Sequence, residues 1–341
     1  MCGKTLFNIL SLFAFQKALK MVQKNSPGNT LRDIIETRTQ LATERDVKND
    51  PLLRKAIDRL SQEGDWLLGK GRHNWVRSCA QSLNDPNNWE GYSMSVHMTY
   101  ALEQRGKECR GEVQLISGDK SDVDIVYDDK NGIQIRIECV ATMEPLTYWQ
   151  TEEVDELFPA LTIKTARYDA EGEAGLAHRV QFKTRIKTIK YKSVDGQTVY
   201  LEPTKFPVAD NDSLNIIAVD VTQGTGTPPD WYDLELWSNG NGLQLFKKMD
   251  VLGLFEAPNL FAPEFDREYN GNRYLRERVH GILFLIDRSN WRSPLNPMYD
   301  ARLVNNPRIQ FTDGQQQAWN ELGNSLSGFV KNWILKPQIR G

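Results

Sequence analysis

The sequence predicts an α/β protein, a mixed β-sheet flanked by helices with a helical N-terminal region in front of it. Three observations predict this class. Between Ser121 and Thr142, polar and apolar residues alternate with period two on either side of an Asp-Asp-Lys-Asn-Gly turn at 128–132, the pattern of a hairpin. Residues 214–222 (LNIIAVDVT) and 280–287 (HGILFLID) are continuous apolar runs of the kind that fill a strand buried on both faces. Stretches of helical period stand between these strand patterns, the alternation expected of helices packed on a mixed sheet.

Composition bounds the rest. A chain of 341 residues can bury a full core in one large or two smaller domains. A formal net charge of -3 excludes a globally basic nucleic-acid coat, so any such binding must come from a local patch. The cysteines, Cys2, Cys79, Cys109 and Cys139, lack CxxC spacing and predict reduced thiols in a cytoplasmic protein rather than a disulfide framework or a zinc site. The apolar run at 5–15 has signal-peptide length but no convincing cleavage site, and it is too short to span a bilayer. It reads as a packing helix or an extension, and no partnership with a membrane is expected.

Residues 30–83 carry apolar side chains at helical spacing, among them Leu31, Ile34, Ile35, Leu53, Ile57 and Leu60. They predict a helical layer over residues 1–85, with Lys70, Arg72, His73 and Arg77 as a cationic cluster within it. Asn84-Asp85-Pro86 then punctuates the chain. A core follows over 86–290. It opens with a helix from Trp89 to Arg105 that is stopped by Gly106; Met94, Met98, Ala101 and Leu102 lie near one face. A short strand at 112–117 and the central hairpin come next. Residues 176–192 return to helical spacing, with Phe182, Ile186 and Ile189 as the apolar stripe. Beside that stripe Arg179, Lys183, Arg185, Lys187, Lys190 and Lys192 make an acid-free cationic face. Such a face is usually just solvated, but its uniform sign would suit a polyanion. The remaining segment, 291–341, predicts a C-terminal helical segment packed on the core, an amphipathic helix with Trp319, Leu322, Phe329 and Trp333, which could instead make a homodimer contact.

The hairpin is where chemistry concentrates. Asp122 and Asp124 share a strand face, and the partner strand can bring Glu138 beside them. A carboxylate on a strand interior costs free energy unless it is paired, hydrogen-bonded or cation-bound; the bland alternative is a solvated sheet face.

The order helix, strand, strand, strand, helix, strand from Trp89 to Thr222 resembles the PD-(D/E)XK, or restriction-endonuclease-like, superfamily. The residues that carry the resemblance are Glu90 at the start of the first helix, Ser-Asp-Val-Asp at 121–124, Ile-Glu-Cys-Val at 137–140, the lysine-bearing 176–192 stretch and Asn-Ile-Ile-Ala-Val-Asp at 215–220. The resemblance covers about 135 residues. It implies Asp124, with Asp122 as second ligand or alternate, Glu138 and the backbone carbonyl of Cys139 as ligands of Mg²⁺ or Mn²⁺. Glu90 would be a second-metal or supporting carboxylate, or merely an acid favoured at a helix N-terminus. The family's lysine, two residues past the glutamate, is here Val140. Either Lys183 or Lys187 on the following helix replaces it, or the site does not cut. The resemblance therefore implies a metal-dependent phosphodiesterase, an endonuclease acting on nucleic acid, in the first place DNA. The alternative is an inactive nuclease-like module for nucleic-acid binding or assembly.

Overall fold

The computed structural model describes residues 30–43, 47, 49–84, 89–117, 121–141, 205–221, 275–287 and 299–333, with the backbone of four strands at 151–153, 162–164, 189–194 and 197–203. Its centre is a seven-stranded mixed sheet in the order β1-β2-β3-β8-β9-β10-β11. These strands are β1 (Arg110–Val113), β2 (Val123–Asp128), β3 (Gln134–Ala141), β8 (Ser213–Asp220), β9 (Gly281–Asp287), β10 (Tyr299–Asn305) and β11 (Val330–Trp333). β1, β2 and β3 form an antiparallel meander; β8 then joins β3 in parallel and β9 joins β8 in parallel. Two small hairpins, β4 (Thr151–Glu153) with β5 (Thr162–Lys164) and β6 (Ile189–Val194) with β7 (Gln197–Pro203), form separate two-stranded sheets.

The predicted turn forms as expected. Asp129 Oδ1 accepts from the backbone N–H of Asn131 and of Ile133, each at 2.8 Å, and Gly132 takes φ +81°, which a glycine adopts without steric cost. The predicted apolar face also forms: Ile133, Ile135, Ile137 and Cys139 all enter one core cluster.

Helices cover that face. α4 (Trp89–Gln104) lays Met94, Met98, Ala101 and Leu102 on it, and α5 (Asp313–Ser325) adds Ala318 and Leu322. α4 is apolar on its other side too, because Trp89, Tyr92 and Val96 pack against the N-terminal helices α1 (Leu31–Thr43), α2 (Pro51–Gly69) and α3 (Trp75–Gln81). A helix buried between two layers needs two apolar stripes. The helical layer expected over 1–85 is thus present from Leu31 to Gln81, residues 1–29 lying outside the described residues, and part of its cationic cluster has a structural use: Arg72 and His73 both meet the buried Glu103. The opposite face of the sheet holds Val126, Val140, Ile217, Val219, Ile282 and Phe284, closed by Phe206, Leu275 and Val279.

Two expectations need correction. The segment 291–341 is not simply helical, since β10 and β11 belong to it and extend the sheet. The helix ends at Ser325, where Gly323, Asn324, Ser325, Ser327 and Gly328 lower helix propensity and the chain turns into β11. The predicted helix over 176–192 is also overturned at its end: Lys190 and Lys192 lie on the strand β6. β6 alternates branched or aromatic residues with polar ones, and the pairing Val194↔Gln197 brackets an Asp-Gly dipeptide, a strong hairpin signal.

Candidate active site

The register places three acids in one row. Gly111↔Ile125 and Val113↔Val123 are paired positions of β1 and β2, so Glu112 and Asp124 lie between them on facing strands. Ile125↔Ile137 is the last pair of β2 with β3, so Asp124 and Glu138 are the next positions out.

Strand alternation breaks at this row. Ile125 and Tyr127 join the helix-covered core, whereas Val123 joins Val126 and Val140 on the other side. Asp124 stands at the break, and its carboxylate turns into the ladder: Oδ2 accepts the backbone N–H of Cys139 at 2.7 Å. A side chain thus supplies the bond that a regular backbone would have made. Glu112 has φ +51°, unusual for a residue with a Cβ, and its Oε1 accepts from the Cys79 thiol at 2.8 Å. Burial pushes the Cys79 thiol up from its ordinary pKa, helped by the Glu112 hydrogen bond and by the charges of Glu112 and Asp124.

Glu138 is 0% exposed. Its Oε1 accepts from Lys205 Nζ at 2.8 Å, and the same ammonium donates to the backbone carbonyl of Asp122 at 2.5 Å. The Lys205 side chain is 16% exposed, so it forms the lid over the glutamate. It is held by its loop. Arg278 Nη1 donates to the Phe206 carbonyl at 2.9 Å, and Ala209 N–H donates to the Glu277 carbonyl at 3.1 Å. Gln315 Nε2 donates to the carbonyls of Asp210 and Ser213, both at 2.7 Å. Lys205 itself adopts φ +52°. Among the described residues, Glu112 and Lys205 are the non-glycines with positive φ, and both serve this row. Strained backbone of this kind collects at functional sites because the surrounding fold must over-determine it.

The expected residues are therefore placed as follows. Asp124 and Glu138 take facing positions on β2 and β3, with Cys139 engaged through its N–H and its thiol buried on the helix-covered, apolar face. Asp122 contributes its backbone carbonyl to Lys205. Val140, at the position where the resemblance expects a lysine, is buried in the core. The cation found beside Glu138 is Lys205, which sequence reasoning missed, as it did Glu112. Lys183, Lys187, Arg179 and Arg185 lie outside the described residues, as does the side chain of Glu90, whose backbone is in the first turn of α4. The side chains of Lys190 and Lys192 likewise lie outside them, and their backbone is in β6.

Among the described residues, no group of three or more His, Cys, Asp or Glu side chains is placed to hold an ion. The groups of this row are carboxylates and backbone oxygen, hard donors of the kind Mg²⁺ or Mn²⁺ takes together with several waters, and the cation that stands beside Glu138 is the Lys205 ammonium. No helix among the described residues is long and apolar enough to cross a membrane. In comparisons with protein-family models, with curated proteins and with solved structures, the chain finds no significant match.

Proposed function

We propose that the protein is a metal-dependent phosphodiesterase acting on DNA, with Asp124 and Glu138 as the carboxylates and Lys205 as the ammonium. The observation that carries this reading is the contact of Lys205 Nζ with Glu138 Oε1 at 2.8 Å. It supplies from a neighbouring loop the lysine that Val140 cannot provide.

Asp124 and Glu138 would hold Mg²⁺ or Mn²⁺ together with the Cys139 carbonyl. The bound ion supplies acidity to a water and charge for the phosphate. The chain's own groups do the rest. Asp124, fixed by the Cys139 N–H, keeps one carboxylate oxygen committed and leaves the other for a cation. Lys205, whose ammonium stands beside Glu138, would present that charge to the scissile phosphate and neutralise developing charge. The cationic run Arg179, Lys183, Arg185, Lys187, Lys190 and Lys192 supplies backbone contacts to the polyanion.

A second reading is favoured by one observation, the complete burial of Glu138 beneath Lys205. In it the pair is a closed structural link, and the protein is an inactive nuclease-like module that binds or assembles on nucleic acid. Supercoiled plasmid incubated with Mg²⁺ or Mn²⁺ separates the two. The first reading expects nicking that Asp124→Ala and Glu138→Gln abolish while circular dichroism stays native. Salt-sensitive binding with no cleavage in either metal would establish the second. Neither cleavage nor binding would remove both.

A further inference from the structure

A second set of ionisable groups converges away from the hairpin, on a cavity of about 280 Å³ bounded by α2, α4 and the turn before β11. α4 supplies His97, Tyr100 and Gln104, spaced to share one stripe of the helix. Arg105 follows the helix end, Arg59 comes from α2, and Phe329 closes the wall. This stripe differs from the one that packs Met94 and Met98 on the sheet.

The histidine is held rigidly. His97 is 5% exposed, and its Nδ1 lies 2.5 Å from Glu63 Oε2. Glu63 Oε1 accepts in turn from Arg59 Nε at 2.7 Å. Burial works against the ionised form of Glu63, but the hydrogen bonds from His97 and Arg59 outweigh it and hold the carboxyl below its ordinary pKa. The Glu63 charge is therefore absorbed by this chain of contacts. With Nδ1 committed to Glu63, Nε2 is the ring nitrogen left for a ligand. Arg105, by contrast, makes no ion pair among the described residues, so no described carboxylate offsets its charge at the cavity.

We infer that this cavity binds a phosphate monoester carried on a compact organic body. The phosphoryl group sits between the Arg105 guanidinium and His97 Nε2, with the Gln104 amide as a further donor. The body lies against the Tyr100 ring and Phe329. A carboxylate has two coplanar oxygens and can use the guanidinium fork alone; donors from Arg105, Gln104 and the doubly protonated His97 ring, whose Nδ1–H faces Glu63, match the three terminal oxygens of a phosphoryl group. The volume is at the lower limit of small-molecule cavities, which admits a sugar phosphate and excludes a dinucleotide. The site is independent of the phosphodiesterase reading, since it shares no residue with the hairpin.

Titration calorimetry of the full chain in EDTA tests this, with ribose 5-phosphate, inorganic phosphate and ribose as probes. Ribose 5-phosphate binds saturably, inorganic phosphate binds at least about tenfold more weakly, and ribose gives no heat. Arg105→Ala, at an exposed position, weakens ribose 5-phosphate by about tenfold or more, the loss expected for one charge-assisted contact, while Lys55→Ala, an exposed cation of α2 outside the cavity lining, leaves it unchanged. The inference is overturned if ribose 5-phosphate does not bind, if Arg105→Ala binds it as well as the native protein, or if Lys55→Ala weakens it as much as Arg105→Ala does. Equal affinity for inorganic phosphate, or for ribose, overturns the assignment of a monoester.

Discussion

Replacing Lys205 by methionine isolates the contact on which the site depends. The substitution keeps the length of the side chain and removes only the ammonium, depriving a carboxylate that is 0% exposed of this cation. Removing one partner of a buried pair costs about 3–5 kcal/mol. Lys205 retains some exposure, so the lower end applies, and the variant should lose about 3 kcal/mol at neutral pH. In the variant, burial raises the Glu138 carboxyl above its unfolded value of about 4.3, so the folded state binds the extra proton. The penalty is therefore full above that raised pKa and shrinks as the pH falls through it. Adding Glu138→Gln to Lys205→Met should recover most of the loss at neutral pH, because a neutral amide is cheaper to bury than a charge. Urea unfolding of the four members of the cycle, at neutral and acid pH, reads these values. A neutral-pH loss under about 1 kcal/mol, or one that is the same in acid, would refute the assignment of Glu138 as a buried anion compensated by Lys205.

Three further outcomes follow from the same framework. His280 is pushed down to about 4 by burial, and its Nδ1 accepts the Asn215 N–H at 3.0 Å; stability should be full above about 6.5, where the unfolded imidazole is neutral, and fall by roughly 3 kcal/mol as the pH drops to 4. His280→Asn keeps an acceptor and should flatten that slope in acid denaturation; an unchanged slope would remove His280 as its source. Thr312→Ala removes one half of the capping box with Gln315 at the start of α5 and should cost about 1 kcal/mol in urea unfolding, with no loss at all ruling out the cap as a contributor. Gly281→Ala would set a Cβ 2.1 Å from the Trp319 ring and 2.6 Å from the Val304 carbonyl, so the melting temperature should fall by the equivalent of about 1–3 kcal/mol, and a native-like value would show that β9 can shift to accept it.

The hairpin was legible because period-two patterning and an Asn-Gly turn are local signals, and Ile133, Ile135, Ile137 and Cys139 form one apolar side of its second strand. α4 and the buried strands β8 and β9 were legible for the same reason. What the sequence could not reveal is long-range. Lys205 approaches Glu138 across a sequence separation of 67 residues, from a loop with no periodicity of its own. Glu112 reads as an ordinary strand residue until the pairing of β1 with β2 fixes its register opposite Asp124. β10 escaped notice because YDARLVN mixes charge into a strand that exchanges bonds with β9 along its whole length. The 176–192 run misled through its cations, whose helical spacing outweighed the alternation of its last residues. Propensity and period are weak priors where a short segment satisfies both templates.

The loop position of Lys205 separates two things that a strand-borne lysine would join. Val140 is free to be pure hydrocarbon, and it packs with Val126, Ile217 and Val219 next to the acid row. The ammonium, in turn, rides on a length of backbone whose own fastenings, through Arg278 and Gln315, reach to the segment leading into β9 and to α5. Disturbing those distant anchors would withdraw the positive charge while leaving both acids where they are, which gives the carboxyl row a partner that can be removed without unzipping the sheet.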